Sequence, residues 1–97
     1  MNLKELEQIF EKYNGEYIKF EHVENKLSNR PDLHALLLLD KLVPGKRDMV
    51  AAAEHDEIYL DVELSELAEV VTEAQIRDLI RCGVRHDSYN DSLSLFV

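Results

Sequence analysis

The sequence predicts an α+β fold: N-terminal helices packed on a small antiparallel sheet, with two further helices between sheet strands, all in one domain over residues 1–97. Three observations lead there. Apolar residues recur at helical spacing from Leu3 to Leu42 and again from Leu64 to Ile80, whereas from Met49 to Val62 and after Val84 they follow strand-like patterns. Clusters of Gly, Pro, Asn, Asp and Ser separate the two kinds of stretch. With 45% apolar and 32% charged residues, a chain of 97 residues has material for one core and not for two. A domain of that size buries roughly 60–70% of the surface its unfolded form exposes.

Leu3, Leu6, Ile9, Phe10 and Tyr13 form the inward stripe of a first helix, with charges opposite. Asn2 is its N-cap, with Glu5 three residues on, and Asn14-Gly15 supplies a left-handed stop. Between Tyr17 and Ser28 two periods compete: Ile18 and Phe20 alternate, while Phe20, Val23 and Leu27 repeat helically. The spacing favours a helix from about Lys19 to Ser28. Pro31 suits the first turn of the next helix, Asp32 complements its dipole, and Pro44-Gly45 ends it. Leu33, Ala35, Leu36, Leu37, Leu38, Leu39 and Leu42 cover most of its circumference. It is therefore expected to be contacted on several sides, as the central element of the core.

After the polar link Lys46-Arg47-Asp48, Met49–Ala53 and Glu57–Val62 read as short strands around Glu54, His55 and Asp56. In the second, Ile58, Leu60 and Val62 face one side and Glu57, Tyr59 and Asp61 the other, as in a half-buried strand. Leu64, Leu67, Ala68 and Val71 continue as a short helix. Thr72, with Gln75 three residues on, opens another that carries Ile76, Leu79 and Ile80 inward and ends at Gly83. Ser88 to Asp91 then provide turn chemistry between strands Val84–Asp87 and Ser92–Val97. Leu93, Leu95 and Val97 are expected to face the core, so trimming the final residues should destabilise the fold.

The net charge of −9 is unevenly placed. Residues 1–53 hold nine acids against eight bases, while residues 54–97 hold eleven against three. Between Arg47 and Arg77 there is no Lys or Arg. Such a field repels phosphate, which disfavours direct binding of nucleic acid. The opening residues lack the continuous apolar stretch of a signal peptide, and the run Ala35–Leu39 is far shorter than the roughly 20 residues that span a bilayer. Cys82 is the only cysteine, so no disulfide forms within the chain. A cytoplasmic protein without membrane contact is the expectation.

Several side chains invite a chemical reading. His55-Asp56-Glu57 and His86-Asp87 flank strands that could lie side by side near Cys82, and imidazole, carboxylate and thiolate together could bind zinc. No ligand spacing of a known metal motif accompanies them, so polar turns are the plainer reading and no metal or cofactor is expected. Cys82 adjoins a helix C-terminus, where the dipole disfavours a thiolate, and reads as a small buried hydrophobe. Neither an EF-hand loop nor a Gly-rich phosphate loop is present. What remains is the acidic stretch, in which Glu57, Tyr59 and Asp61 point outward from a strand and Glu63, Glu66 and Glu69 line the following helix. These six residues could meet a protein partner with a basic surface, or merely keep a small protein soluble.

The segments AAAEHDEIYLDV (Ala51–Val62), RCGV (Arg81–Val84) and DSLSLFV (Asp91–Val97) resemble a family of small, uncharacterised acidic proteins encoded in bacteriophage and prophage genomes. The resemblance covers about the second half of the chain and carries no catalytic motif. It implies a bacterial or phage setting and no transferable site residue. The expected function is thus a non-enzymatic interaction or accessory protein acting through its acidic surface. Two alternatives stay open: a nucleic-acid mimic that inhibits a DNA-binding protein or nuclease, and a small metal protein or enzyme using His55 and His86.

Overall fold

The structure, a computed structural model, describes residues Met1–Phe96. Helix α1 (Leu3–Lys12) is followed by two isolated 3₁₀ turns, then α2 (Pro31–Leu42), strands β1 (Val50–Glu54) and β2 (Glu57–Leu60), helices α3 (Leu64–Val70) and α4 (Glu73–Arg81), and strands β3 (Val84–Asp87) and β4 (Ser92–Phe96). The strands form one antiparallel sheet in the order β1-β2-β4-β3, so both hairpins are intact and β4 joins them. Val97, expected to face the core, lies outside the described residues.

Local chemistry explains where most elements begin. Asn2 and Glu5 exchange side-chain and backbone hydrogen bonds in a capping box on α1, and Thr72 and Gln75 do the same on α4. Pro31 occupies the first turn of α2. The β1–β2 turn is tighter than expected. Only His55 (φ 53°) and Asp56 (φ 65°) lie between the strands, both in the left-handed region that a two-residue hairpin of the I′ kind demands. In the β3–β4 turn, Asp87 Oδ1 accepts from the backbone N–H of Tyr89 (2.9 Å) and Asn90 (3.2 Å); the Asn90 side-chain amide on Oδ2 foremost, and then these backbone bonds, hold its pKa below the usual value. Gly83, at φ 95°, turns the chain out of α4 into β3, a conformation costly to any other residue.

The helices cover one face of the sheet. Leu60, Leu93, Leu95 and Val84 point into that layer and meet Leu6, Phe10, Leu39, Leu67, Ile76 and Leu79 in a single core. α4 is the shared neighbour: α1, α2, both 3₁₀ turns and β3 all pack on it. The expectation that the leucine-rich α2 is central is thereby corrected. Its His34, Ala35, Leu38 and Leu39 are buried, but Leu33 and Leu37 remain 43% and 42% exposed, because a chain this short has no further layer to cover them.

Two more expectations fail in the segment between α1 and α2. The left-handed stop at Asn14-Gly15 does not form. Tyr13, at φ −103°, ends α1, and Asn14–Glu16 make one 3₁₀ turn that swings the Glu16 carboxylate toward α4. The helix over Lys19–Ser28 is also absent. Phe20–His22 form a single 3₁₀ turn, Ile18 and Asn25 take positive φ (57° and 54°), and the rest is irregular. Val23 is buried, but Leu27 is 47% exposed. With the third residue of the stripe finding no cover, so short a helix gains too little packing to offset its nucleation. Instead the Leu27 N–H donates to His34 Nδ1 at 3.0 Å.

The irregular segment is held by polar ties. Glu16 Oε1 accepts from Arg77 Nε (2.9 Å) and Arg81 Nη2 (3.0 Å), and these two hydrogen-bonded guanidinium groups bring its pKa down to about 2. The Ile18 N–H donates to the Ile80 carbonyl (3.2 Å), and Arg81 Nη1 reaches the His22 carbonyl (3.1 Å). Among the described residues, no helix is long and apolar enough to cross a membrane.

Candidate functional site

Strand geometry decides where the acidic residues point. Since alternate residues face opposite sides, the inward set Ile58 and Leu60 leaves Glu57 and Tyr59 on the face away from the helices. There they join Ser94, Arg85 and Phe96. Ser94, fully buried between Tyr59 and Arg85 on its neighbouring strands, donates its hydroxyl to Glu57 Oε1 at 2.6 Å. The Tyr59 hydroxyl donates to Glu57 Oε2 (3.3 Å), and burial, followed by the charge on Glu57, raises the Tyr59 pKa. Arg85 stacks over the Phe96 ring, 4.8 Å from its centroid.

The other four residues expected to bind a partner lie elsewhere. Asp61 is bound by Arg47, whose Nη2 sits 3.1 Å from Oδ1 and 3.0 Å from Oδ2. Glu63 accepts from the Ser65 hydroxyl (3.2 Å), just before α3. Together with Glu66 these two line a cavity of about 430 Å³ that also includes Lys46, Arg47 and Met49. Glu69 is exposed on α3. The acidic stretch, continuous in sequence, is therefore divided in space. A stretch without basic residues in sequence is also not without them in the fold. Arg47 neutralises Asp61 at one end, and at the other Glu73 receives Tyr13 (2.7 Å) and Lys12 (3.5 Å), which lower its pKa in that order of effect.

Three acids without a Lys or Arg partner among the described residues border the β1–β2 hairpin. Glu54 and Asp56 are exposed there, beside Glu57. All five residues of β1, Val50 to Glu54, are exposed, since the strand overhangs the helical layer. β1 pairs with β2 alone, and its other edge is open. In a two-residue hairpin the residues flanking the turn exchange hydrogen bonds, so Ala53, the next along, aims its N–H and C=O away from β2. Sequence reasoning placed a strand here and missed that it would stand clear of the core. Its run of three alanines was the available signal, since alanine adds little burial on either face.

The histidines are not brought together. His55 sits on the hairpin turn with its side chain 89% exposed. His86 lies on β3 opposite Leu93, which itself faces Leu60, so two strand spacings and roughly 10 Å of strand separate it from His55. His86 instead points to the helical side, its ring centroid 6.1 Å from that of Phe10, between Glu7 of α1 and Asp91 of the β3–β4 turn. Cys82 is buried, and burial pushes its thiol up to about 12, which keeps it protonated at neutral pH and unreactive as a nucleophile.

Set against protein-family models, curated proteins and solved structures, the chain matches none of them.

Proposed function

We propose that this chain is a non-enzymatic binding protein that takes up an extended, basic segment of a partner protein along the open edge of β1. The observation that carries the reading is the state of that strand: paired on one side only, exposed at every residue, and in unbroken register with β2 from Ala52 to Glu54, after a single shift between Val50 and Ala52. An added strand would gain main-chain hydrogen bonds from the free edge, and its alternate side chains would lie beside Val50 and the alanines. Charge selects the partner. Glu54, Asp56 and Glu57 gather at one end of the edge in a protein of net charge −9, so lysines or arginines on the incoming segment are favoured and acidic segments are turned away. A role as a cytoplasmic accessory factor of phage or mobile-element origin belongs to the same proposal. Mimicry of nucleic acid has less support, because a phosphate-like row needs evenly spaced free carboxylates and Asp61, Glu73 and Glu57 are each engaged within the fold.

A peptide of alternating lysine and valine, about eight residues long to match an ordinary strand, is the direct probe. Titrated into the isotope-labelled protein, it should shift the amides of Val50–Glu54 and slow hydrogen exchange at Ala53. Glu54→Lys and Ala53→Pro should each weaken the effect, and added salt should do the same. Shifts confined to Glu63, Glu66 and Glu69, with β1 unmoved, would refute the edge and return the acidic helix face to consideration.

A further inference from the structure

We infer that Glu7, His86 and Asp91 form a binding site for a first-row divalent metal ion of the zinc class, at the sheet edge opposite β1. One imidazole nitrogen and one oxygen from each carboxylate all lie within 4.8 Å of one another. The second observation is the state of the imidazole. The His86 side chain is only 8% exposed, yet its Nε2 is buried without a hydrogen-bond partner among the described residues. Leaving a buried ring nitrogen unpaired is costly, and such nitrogens normally have a partner.

Each carboxylate is placed for a shared ion rather than for a direct contact with the imidazole. Glu7 Oε1 is 3.8 Å and Asp91 Oδ1 is 3.7 Å from Nε2, too far for hydrogen bonds. Bonds of about 2.0–2.2 Å from one tetrahedral ion place its ligand atoms about 3.3–3.5 Å apart, so the imidazole needs to approach each carboxylate by only a few tenths of an ångström, and the two carboxylate oxygens, within 4.8 Å of each other, are drawn together by rotation of their exposed side chains. A nitrogen donor with two carboxylates argues against magnesium and calcium, which prefer oxygen alone, and for zinc or a neighbouring transition ion. The three ligands come from elements the fold fixes independently. Glu7 stands on capped α1, His86 is set by its register against Leu93, and Asp91 is presented at φ 50° by the turn that Asp87 organises. A cavity of about 610 Å³, lined by Glu7, Phe10, Glu11, Tyr17, His86 and others, gives the ion a route in and leaves room for water as the fourth ligand. Once bound, the ion would tie the first helix to the last hairpin.

Zinc alone is the probe, added to metal-free protein and followed by titration calorimetry, with cobalt substitution to report ligand geometry by visible absorption. The expected result is one ion per chain, a cobalt spectrum of tetrahedral type, and a thermal midpoint raised by about 10 °C when zinc stands at a hundredfold of its Kd. Glu7→Gln and Asp91→Asn change exposed side chains and leave folding intact; each should weaken binding by more than about tenfold, and His86→Asn should abolish it. His55→Ala should change nothing. Absence of zinc binding at millimolar concentration would overturn the site, as would binding that survives the Glu7 and Asp91 substitutions but is lost with His55. The β1 edge takes no part in this experiment, so the two readings stand or fall separately.

Discussion

The segment from Asn14 to Arg30 and the strand β1 differ in opposite senses. The first has almost no regular structure, yet it is fastened to α4 by the Glu16–Arg77–Arg81 cluster, by the Ile18 N–H on the Ile80 carbonyl, and by the buried Val23. The second is a strand with a two-residue turn and a single register shift, between Val50 and Ala52, yet no residue of it is buried. Regularity and anchorage are thus separate properties. A backbone can be irregular because side chains hold it in place, and extended because a single ladder suffices.

The largest effect is expected at the helix on which the irregular segment leans. Leu79, fully buried on α4, is expected to cost about 3 kcal/mol on truncation in Leu79→Ala, read from urea denaturation. The exchange protection of residues 16–23 should fall together with that of α4, whereas β1 amides, already unprotected on their open side, should change little. A smaller effect is expected from Glu16→Gln, which removes the anion shared by Arg77 and Arg81, leaves Arg81 with Asp78 at 3.4 Å, and should lower the thermal midpoint by several degrees. Its dependence on pH is the sharper test. The folded-state pKa of Glu16 is about 2 against an ordinary 4.5, so its contribution is complete above roughly 4.5 and vanishes as pH falls through 2. The gap between wild type and variant should close over that range, and a gap that persists at pH 2 would mean the carboxylate charge is not what holds the segment. Smallest of all, Ala52→Lys on β1 should alter stability by no more than about 0.5 kcal/mol. It should nonetheless repel a basic segment from the edge, so that stability and uptake of the lysine–valine peptide separate in one variant.

Much of this architecture was legible from residues whose signals are local. Asn2 with Glu5, Thr72 with Gln75, Pro31, Gly83 and the alternation through Ile58 and Leu60 each specify structure within a few positions, and each element begins or turns where they indicate. The misreadings share a different cause. Phe20, Val23 and Leu27 have helical spacing, but whether Leu27 is covered depends on elements remote in sequence. The same holds for the leucines of α2, of which only one face finds neighbours. The His86 site was hidden for the same reason. Asp91 is five residues away and could have been suspected, but Glu7 is brought in by the packing of α1 against β3, and no spacing motif encodes that meeting.

The open edge of β1 also bears on how the protein behaves in company with itself. Two copies could also pair edge to edge, since β1 carries neither the proline nor the lysine that natural edge strands use to prevent it, and its one register shift, between Val50 and Ala52, leaves Ala52–Glu54 in unbroken register. What keeps them apart is the shared sign of Glu54, Asp56 and Glu57, whose repulsion reaches about 10 Å at 0.1 M ionic strength and only about 3 Å at 1 M. Ionic strength therefore sets how far the protein can be concentrated before its own strands begin to compete for the place of a ligand.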